Sequence, residues 1–212
     1  MVDGITLLLA AVAVACMIGV WRVTRPSEEP RRAVDHYTSQ VRKNPKDTQA
    51  RYELGLALMR RGQLSEAIHE FRLVTELAPK HAQAHHRLGV CLLSVGNAAT
   101  ALPHLERATV LSPVYAEAFA SLGAVHEMRG DRMSARAAYN RAVGIDSRLA
   151  IAHFNLARLY AQEGEPLKAL GALQAAARAD ASMIEEAKCS PDFDTVLGDR
   201  AFRAYLYGAE AA

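Results

Sequence analysis

Histidines are the residues of this chain whose spacing comes nearest to a chemical site. His81 and His85 are four residues apart, so on a helix they would share one face, as two ligands of a metal ion do. Two nitrogens alone make a poor metal site, and packing between helices explains both residues more simply. His126-Glu127 begins like the helix of a zinc protease, but Gly130 stands where the second histidine should be. We therefore predict no metal ion and no other cofactor.

The other motifs of catalysis are absent or incomplete. The sequence has no phosphate loop, no Gly-rich dinucleotide fingerprint, no cysteine pair with zinc spacing and no nucleophile elbow. Residues 129–131 spell the cell-adhesion tripeptide Arg-Gly-Asp, but they fall at a turn where the repeat described below requires glycine. Cys16, Cys91 and Cys189 have no spacing that suggests disulfides, so we expect idle or buried thiols. The sequence predicts a protein that is not an enzyme.

Charge limits the class of partner. The chain has 25 Lys and Arg residues against 23 Asp and Glu residues, and both signs alternate along the predicted helices. This pattern lacks the basic footprint of a nucleic-acid-binding protein. The basic excess lies in residues 22–46, where attraction to anionic lipid headgroups is its simplest use. We expect proteins and membrane lipid as partners, and neither nucleic acid nor a small-molecule substrate.

A fixed period of 34 residues organises most of the chain. The pairs Leu54-Gly55, Leu88-Gly89, Leu122-Gly123 and Leu156-Ala157 each begin 34 residues after the one before. Three more series keep this step: Gly62, Gly96, Gly130 and Gly164; Ala67, Ala101, Ala135 and Ala169; and Phe71, Leu105, Tyr139 and Leu173. Small residues at fixed positions are expected where two helices approach closely. Since one helix pair cannot bury its apolar stripe alone, the pattern predicts helix pairs that stack on their neighbours.

These series resemble the signature of the tetratricopeptide repeat family. That signature has Leu-Gly early in one helix, Gly in the turn, Ala and an aromatic residue in a second helix, and then Pro, as at Pro79 and Pro113. The resemblance implies an all-α fold, an α-solenoid of helix-turn-helix repeats wound into a right-handed superhelix. Its four repeats would occupy residues 48–81, 82–115, 116–149 and 150–183.

The period also predicts what lies at each end of the repeats. Ala33, Tyr37 and Pro45 precede Ala67, Phe71 and Pro79 by one period, so residues 26–47 are interpreted as a stiff linker and a lone capping helix at 31–44. Residues 184–212 leave the period and are predicted to form a C-terminal cap. The cap would bury an apolar stripe of Phe193, Leu197, Phe202 and Leu206 and expose charged residues that include Asp192.

The family resemblance also implies a site. In arrays of this family the first helix of each repeat lines a concave face that binds protein. The family's contact positions, carried onto this sequence, predict a protein-binding groove that contains Tyr52, Met59, Arg60, His86, Leu93, Glu127, Phe154 and Arg158. Leu56, Val90 and Ala124 could serve packing or binding, and both alternatives stay open. Aromatic, Met and aliphatic side chains with few charges suit a helix or an extended segment of a partner.

An uncharged segment precedes the repeats. Residues 4–21 carry no charge, and as a helix they would span roughly 27 Å, close to the hydrocarbon thickness of a bilayer. We predict a transmembrane anchor at residues 1–25 rather than a cleaved signal peptide, because Asp3 and no basic residue precedes the segment. Four arginines flank it on the C-terminal side: Arg22, Arg25, Arg31 and Arg32. The positive-inside tendency then predicts an external N-terminus and cytoplasmic repeats, most simply at a bacterial inner membrane.

Two functional interpretations follow from the anchor and the repeats together. The chain is either a membrane-tethered scaffold or assembly factor that holds a client in its groove, or a permanent accessory subunit of a larger membrane complex, such as an energy-transducing or photosynthetic one. A protein-import or secretion receptor is a variant of the first interpretation.

Overall fold

The computed structural model describes residues 28–208, which form helices joined by short turns and contain no strand. The elements are α1 (Glu28–Lys43), α2 (Thr48–Arg60), α3 (Leu64–Leu77), α4 (Ala82–Ser94), α5 (Ala98–Leu111), α6 (Ala116–Met128), α7 (Arg132–Ile145), α8 (Ala150–Gln162), α9 (Pro166–Ala179), α10 (Met183–Cys189), a 3₁₀ helix (Pro191–Val196) and α11 (Arg200–Tyr207). The prediction of an all-helical repeat solenoid is confirmed.

The start of α1 differs from the prediction. We expected an extended linker through Pro30 and a helix from residue 31, but α1 begins at Glu28. Pro30 therefore lies in the first helical turn, where backbone N–H groups have no acceptor within the helix and a proline is tolerated. Arg31 and Arg32 are exposed on this helix.

The predicted membrane anchor, residues 1–25, lies outside the described residues, and so do its flanking residues Arg22 and Arg25. None of the helices between residues 28 and 208 is both long enough and apolar enough to cross a bilayer.

The chain divides into two compact units, Met1–Glu70 and Phe71–Ala212, with the boundary inside α3. In the first unit α1 packs on α2, whose N-terminus is capped by Asp47 through a 2.9 Å bond from the backbone N–H of Ala50. Arg51 Nη1 donates to Glu70 Oε2 at 2.6 Å, which joins α2 to the first half of α3. The side chains of Arg51 and Glu70 are both 13% exposed, so this ion pair is better shielded from water than a surface pair.

In the second unit the helices pair as the period predicts. Helix α4 packs on α5, α6 on α7 and α8 on α9. A Cβ placed on Gly123 would lie 2.5 Å from Tyr139 Cε1, and one placed on Gly89 would lie 2.6 Å from Leu105 Cγ. The small residues therefore stand where a large buried side chain of the partner helix fills the space, as we predicted.

The turn inside each repeat also confirms its prediction. Gly62, Gly96, Gly130 and Gly164 have φ angles of 72°, 79°, 79° and 71°. This left-handed conformation is strained for residues that carry a Cβ, so the turn accounts for the glycine at every period.

The last helices fold onto α8 and α9. Phe193, Val196, Phe202 and Leu206 are buried in one cluster with Phe154 and Leu173. The Phe193 ring packs edge-on against Phe154 at 5.8 Å and stacks on Phe202 at 5.6 Å. The non-repeating end of the chain thus covers apolar surface that a further repeat would otherwise cover.

Candidate protein-binding groove

A groove runs across the first helices of three repeats in the second unit. One depression of about 250 Å³ lies among α4, α6 and α8 and is lined by His86, Arg87, Val90, Glu117, Ala120, Ser121, Ala124, Ile151 and Asn155. A second, of about 350 Å³, is lined by Ala124, Glu127, Met128, Tyr139, Asn155 and Arg158. Because both depressions share Ala124 and Asn155, we treat them as one feature and call it the α4–α6–α8 groove. The methyl side chains of Ala120 and Ala124 leave its floor open.

His86, a predicted contact residue, joins two helices at one wall of the groove. Its side chain is buried, with 3% of its surface exposed. Nδ1 lies 2.8 Å from the Tyr115 hydroxyl and Nε2 lies 3.0 Å from Ser121 Oγ. Burying an imidazole requires such partners for both nitrogens, and here they join α4 to α6 and to the residue before α6.

The His86–Ser121 pair has the spacing of a base and a nucleophile, but its electrostatics do not suit catalysis. Burial, reinforced by the Arg87 guanidinium, lowers the pKa of His86 to about 4. A general base works best when its pKa lies near the pH at which it operates. The pair is therefore better suited to holding helices together than to abstracting a proton from serine at neutral pH.

Glu127 and Arg158, two predicted contact residues, bind each other at the other end of the groove. Arg158 Nη2 donates to Glu127 Oε1 at 3.2 Å, and the Tyr139 hydroxyl donates to Glu127 Oε2 at 3.0 Å. Arg158 Nε also donates to Asp192 Oδ2 at 2.5 Å. Two carboxylates thus neutralise the guanidinium, so its charge is less available to a partner than we predicted.

The titration behaviour of this network follows from its contacts. Burial alone would lower the pKa of Arg158, but the hydrogen bond to Asp192 and the charge of Glu127 raise it. Burial alone would raise the pKa of Asp192, but hydrogen bonds from Arg158 and Gln162 lower it. Burial and the Glu127 carboxylate raise the pKa of Tyr139, which remains a neutral donor. Arg158 and Asp192 are therefore both charged at neutral pH, and Tyr139 is not.

The cap takes up part of the surface predicted for a partner. Phe154, a predicted contact residue, is only 2% exposed, because Phe193 packs over it in this structure. Asp192, predicted on the outer face of the cap, instead accepts bonds from Arg158 and from Gln162 at 2.8 Å. The Thr195 hydroxyl donates to the carbonyl of Ala161 at 2.6 Å. The 3₁₀ helix therefore lies along α8, whose groove residues are Ile151, Asn155 and Arg158.

The remaining predicted residues keep some accessibility. Leu93 on α4 is half-buried; in the first unit Tyr52 and Met59 are half-buried on α2 and Arg60 is exposed. The family positions did not include Asn155 and Ser121, whose polar side chains line the groove. An amide or a hydroxyl in an otherwise periodic apolar face is the signal that could have identified them.

The histidine spacing that suggested a metal has another explanation. His81 Nδ1 accepts from the backbone N–H of Ala84 at 3.2 Å and so caps α4. His85 instead contacts the Pro79 carbonyl through Nε2 and His104 Nδ1 through Nδ1, both at 3.2 Å. Between residues 28 and 208 no group of three or more His, Cys, Asp or Glu side chains is arranged to hold a metal ion.

Comparison with known proteins agrees with this geometry. A family model for the tetratricopeptide repeat matches residues 27–82, 59–116, 87–150 and 129–184. No curated protein matches the chain.

Solved structures share the fold at low sequence identity. MamA (residues 41 to the end) from Desulfovibrio magneticus RS-1 is 23% identical, with 90% of this chain and 100% of that chain covered and a TM-score of 0.64. TTC0263, a thermophilic TPR protein in Thermus thermophilus, is 18% identical over 92% of this chain and 95% of that chain, with a TM-score of 0.64. YrrB, described as a TPR protein with an unusual peptide-binding site, is 23% identical over 79% of this chain and 87% of that chain, with a TM-score of 0.61.

Proposed function

The chain belongs to the tetratricopeptide repeat family, and on this basis we propose that it is a non-catalytic scaffold that binds a segment of a partner protein in the α4–α6–α8 groove. The observation that carries the proposal is the pair of depressions joined at Ala124 and Asn155. YrrB, which has a similar fold, is described as having a peptide-binding site, and this supports a peptide as the occupant.

The groove suits an extended segment with aliphatic side chains. Met128 and Ile151 are 55% and 43% exposed beside it, which offers apolar surface to a partner. Asn155 adds an amide that can bond a peptide backbone. Neighbouring helices lie about 10 Å apart, so a segment that crosses α4, α6 and α8 would need about six extended residues. Leu93 remains a predicted contact of this segment, and Tyr52, Met59 and Arg60 of the first unit remain predicted contacts of a protein partner.

Filling the groove floor should weaken client binding. The Ala124→Arg variant places a long side chain where both depressions meet, and we expect it to weaken capture of a client by at least about tenfold, or 1.4 kcal/mol. Ala137→Arg is the matched control, because Ala137 is exposed on α7 and lines neither depression. Affinity purification of the full chain, followed by a titration with the captured segment, gives the measurement.

The groove proposal fails if Ala124→Arg captures the same clients with unchanged affinity while its helical circular dichroism matches the parent chain. Equal weakening in Ala137→Arg would instead indicate an effect of charge without a defined site.

We further propose that the chain works at a membrane. The uncharged stretch at residues 4–21 supports a membrane-spanning segment. The arginines that follow it favour an orientation in which the repeats lie on the cytoplasmic side of a bacterial inner membrane. Tethering would raise the effective concentration of the groove near membrane clients without any new contact.

Topology provides the test of the tether. We expect the full chain to sediment with membranes, resist extraction at high salt, and have its repeats digested only when protease reaches the cytoplasmic face. Reversing the charge of Arg22, Arg25, Arg31 and Arg32 should disturb this orientation, whereas reversing the exposed pair Arg129 and Arg132 should not. Repeats protected from cytoplasmic protease in the parent chain would contradict the proposed orientation.

A permanent accessory subunit is the second candidate function. The specific observation is the set of small residues in the apolar segment, Ala10, Ala11, Ala13, Ala15 and Gly19, which would permit close packing against other membrane helices. Gentle detergent extraction separates the two candidates. Co-purification with one complex at a fixed ratio supports a subunit, whereas substoichiometric and changing partners support an assembly factor or an import or secretion receptor.

A further inference from the structure

A basic cavity of about 640 Å³ lies where the α7–α8 turn meets α9. It is lined by Ser147, Arg148, His153, Ala175, Arg178 and Ala179 and shares no lining residue with the α4–α6–α8 groove. Its lining supplies two guanidinium groups, an imidazole and a hydroxyl, and no carboxylate.

The carboxylates nearest in sequence accept bonds from backbone and hydroxyl groups and not from the two guanidinium groups. Asp146 Oδ1 accepts the backbone N–H of Arg148 at 2.9 Å, and Asp180 Oδ1 accepts the backbone N–H and the hydroxyl of Ser182 at 2.9 and 2.7 Å. Within residues 28–208 no ion pair joins Arg148 or Arg178 to an acidic side chain. Both guanidinium groups are exposed to solvent and keep their donors for a ligand.

His153 is oriented for the same task. Its Nε2 donates to the carbonyl of Ser147 at 3.0 Å, which fixes the ring against the rim of the cavity. The other nitrogen, Nδ1, is not used by this bond and is open to a ligand.

The repeat before this one shows that the cavity is particular to its junction. One period earlier, Ser147, Arg148 and Arg178 correspond to Pro113, Val114 and Gly144, while Ala175 and Ala179 correspond to Arg141 and Ile145. There the Arg141 guanidinium lies 5.8 Å from the centre of the Phe119 ring. At the cavity, alanine replaces both large side chains, so the space stays open while the positive charge at its rim increases.

We propose that this cavity binds a phosphate group, either as the free ion or on a small organic molecule. Guanidinium groups match phosphate oxygens with paired N–H donors, and two of them with an imidazole suit a dianion. The cavity is far larger than the ion itself and falls in the range of small-molecule pockets, so a group attached to the phosphate has room against Ala175 and Ala179. The proposal does not depend on what the groove binds.

Two double variants and one filled variant test the proposal in the full chain. Arg148→Gln with Arg178→Gln removes both charges from the cavity. Arg129→Gln with Arg132→Gln is the matched control, since these arginines are exposed at the α6–α7 turn and do not line the cavity. Ala175→Leu keeps every charge but fills the space.

Each protein is titrated with inorganic phosphate and with glycerol 3-phosphate, and binding is monitored by NMR. The ionic strength is held constant with chloride, which serves as the reference anion. We expect saturable shifts of the His153 and arginine side-chain signals at millimolar ligand, at least tenfold weaker binding in the Arg148/Arg178 variant, and unchanged binding in the control. Tighter binding of glycerol 3-phosphate would identify an organic phosphate as the ligand, and tighter binding of inorganic phosphate would identify the free ion. Ala175→Leu should also weaken binding, most for the organic phosphate.

Shifts that do not saturate, or that weaken equally in both double variants, would overturn the proposal. If Ala175→Leu alone unfolds, the exposed Arg148 and Arg178 substitutions still decide it.

Discussion

Replacing Gly123 with alanine is expected to lower the free energy of unfolding by about 2–3 kcal/mol, or the Tm by about 5–10 °C. A methyl group there would lie 2.5–2.8 Å from three atoms of the Tyr139 ring, well inside van der Waals contact. The ring cannot easily move aside, because it is fully buried and its hydroxyl is held by Glu127. Helices α6 and α7 must therefore separate, which weakens the packing of the whole repeat.

Two other glycines provide a graded control for this result. The stability of all three Gly→Ala variants is measured by denaturant unfolding of the full chain. At Gly89 the same methyl would meet the branched end of Leu105, which can rotate, so Gly89→Ala should destabilise less. At Gly171, inside α9, nothing lies within 4 Å, so Gly171→Ala should stabilise by about 0.5–1 kcal/mol through the unfolded state. A Gly123→Ala variant as stable as Gly171→Ala would show that α6 and α7 do not approach as closely as described.

Stability should fall by about 3 kcal/mol as the pH drops from 7 to 4, through His86 alone. The pKa of His86 is about 4 in the folded chain against 6.5 for the unfolded side chain. Between these values the unfolded chain binds the extra proton, so the stabilisation is complete above pH 6.5 and is lost progressively towards pH 4. The Tyr115 and Ser121 hydroxyls contact the imidazole and the Arg87 guanidinium lowers its pKa further, while a backbone hydrogen bond at Glu117 raises the pKa without reversing the shift.

His85 and His104 act in the same direction. Burial lowers the pKa of both. The charges of Arg107 and His81 lower that of His85 further, against the hydrogen bond to Pro79, which raises it, and the charges of His85 and Arg72 lower that of His104 further. Because His85 Nε2–H donates to the Pro79 carbonyl, its Nδ1 must accept from His104, and a proton on that nitrogen breaks the bond. Carboxylates with a lowered pKa, such as Asp192, lose their contribution only at more acidic pH.

Unfolding free energies measured by denaturant at intervals from pH 8 to pH 4 would check this prediction. His86→Gln should be less stable at pH 7 but should show a shallower pH dependence, whereas His69→Gln, at an exposed position, should keep the parent slope. An identical slope in the parent chain and in His86→Gln would contradict the assignment to His86.

Features that repeat could be predicted from the sequence, and features that occur once could not. The 34-residue step identified both the glycines that turn the chain and the glycines that admit Leu105 and Tyr139, because each period repeats the same steric requirement. The position of Phe193 on Phe154 has no periodic counterpart, so nothing in the sequence indicated that the cap would cover a predicted contact residue.

The bonds of His86 could not be predicted for a related reason. Its position in the helix is an outward contact position in the family, and no local pattern shows that Tyr115 and Ser121 would bond both of its nitrogens. Likewise, the ion pairs that Arg158 forms with Glu127 and Asp192 involve three elements that meet only in the folded chain. Long-range polar pairing is decided by tertiary geometry, which residue spacing along one helix does not contain.

The cap on α8 also limits how the array can change in evolution. Phe193 and Asp192 occupy the very face of α8 and its neighbours that a following repeat would need. A duplicated 34-residue unit added after the last repeat would have to displace the cap. A unit inserted between two inner repeats would instead pack against repeat surfaces on both sides. We therefore expect relatives with longer arrays to have gained their extra units internally while inheriting the same terminal residues.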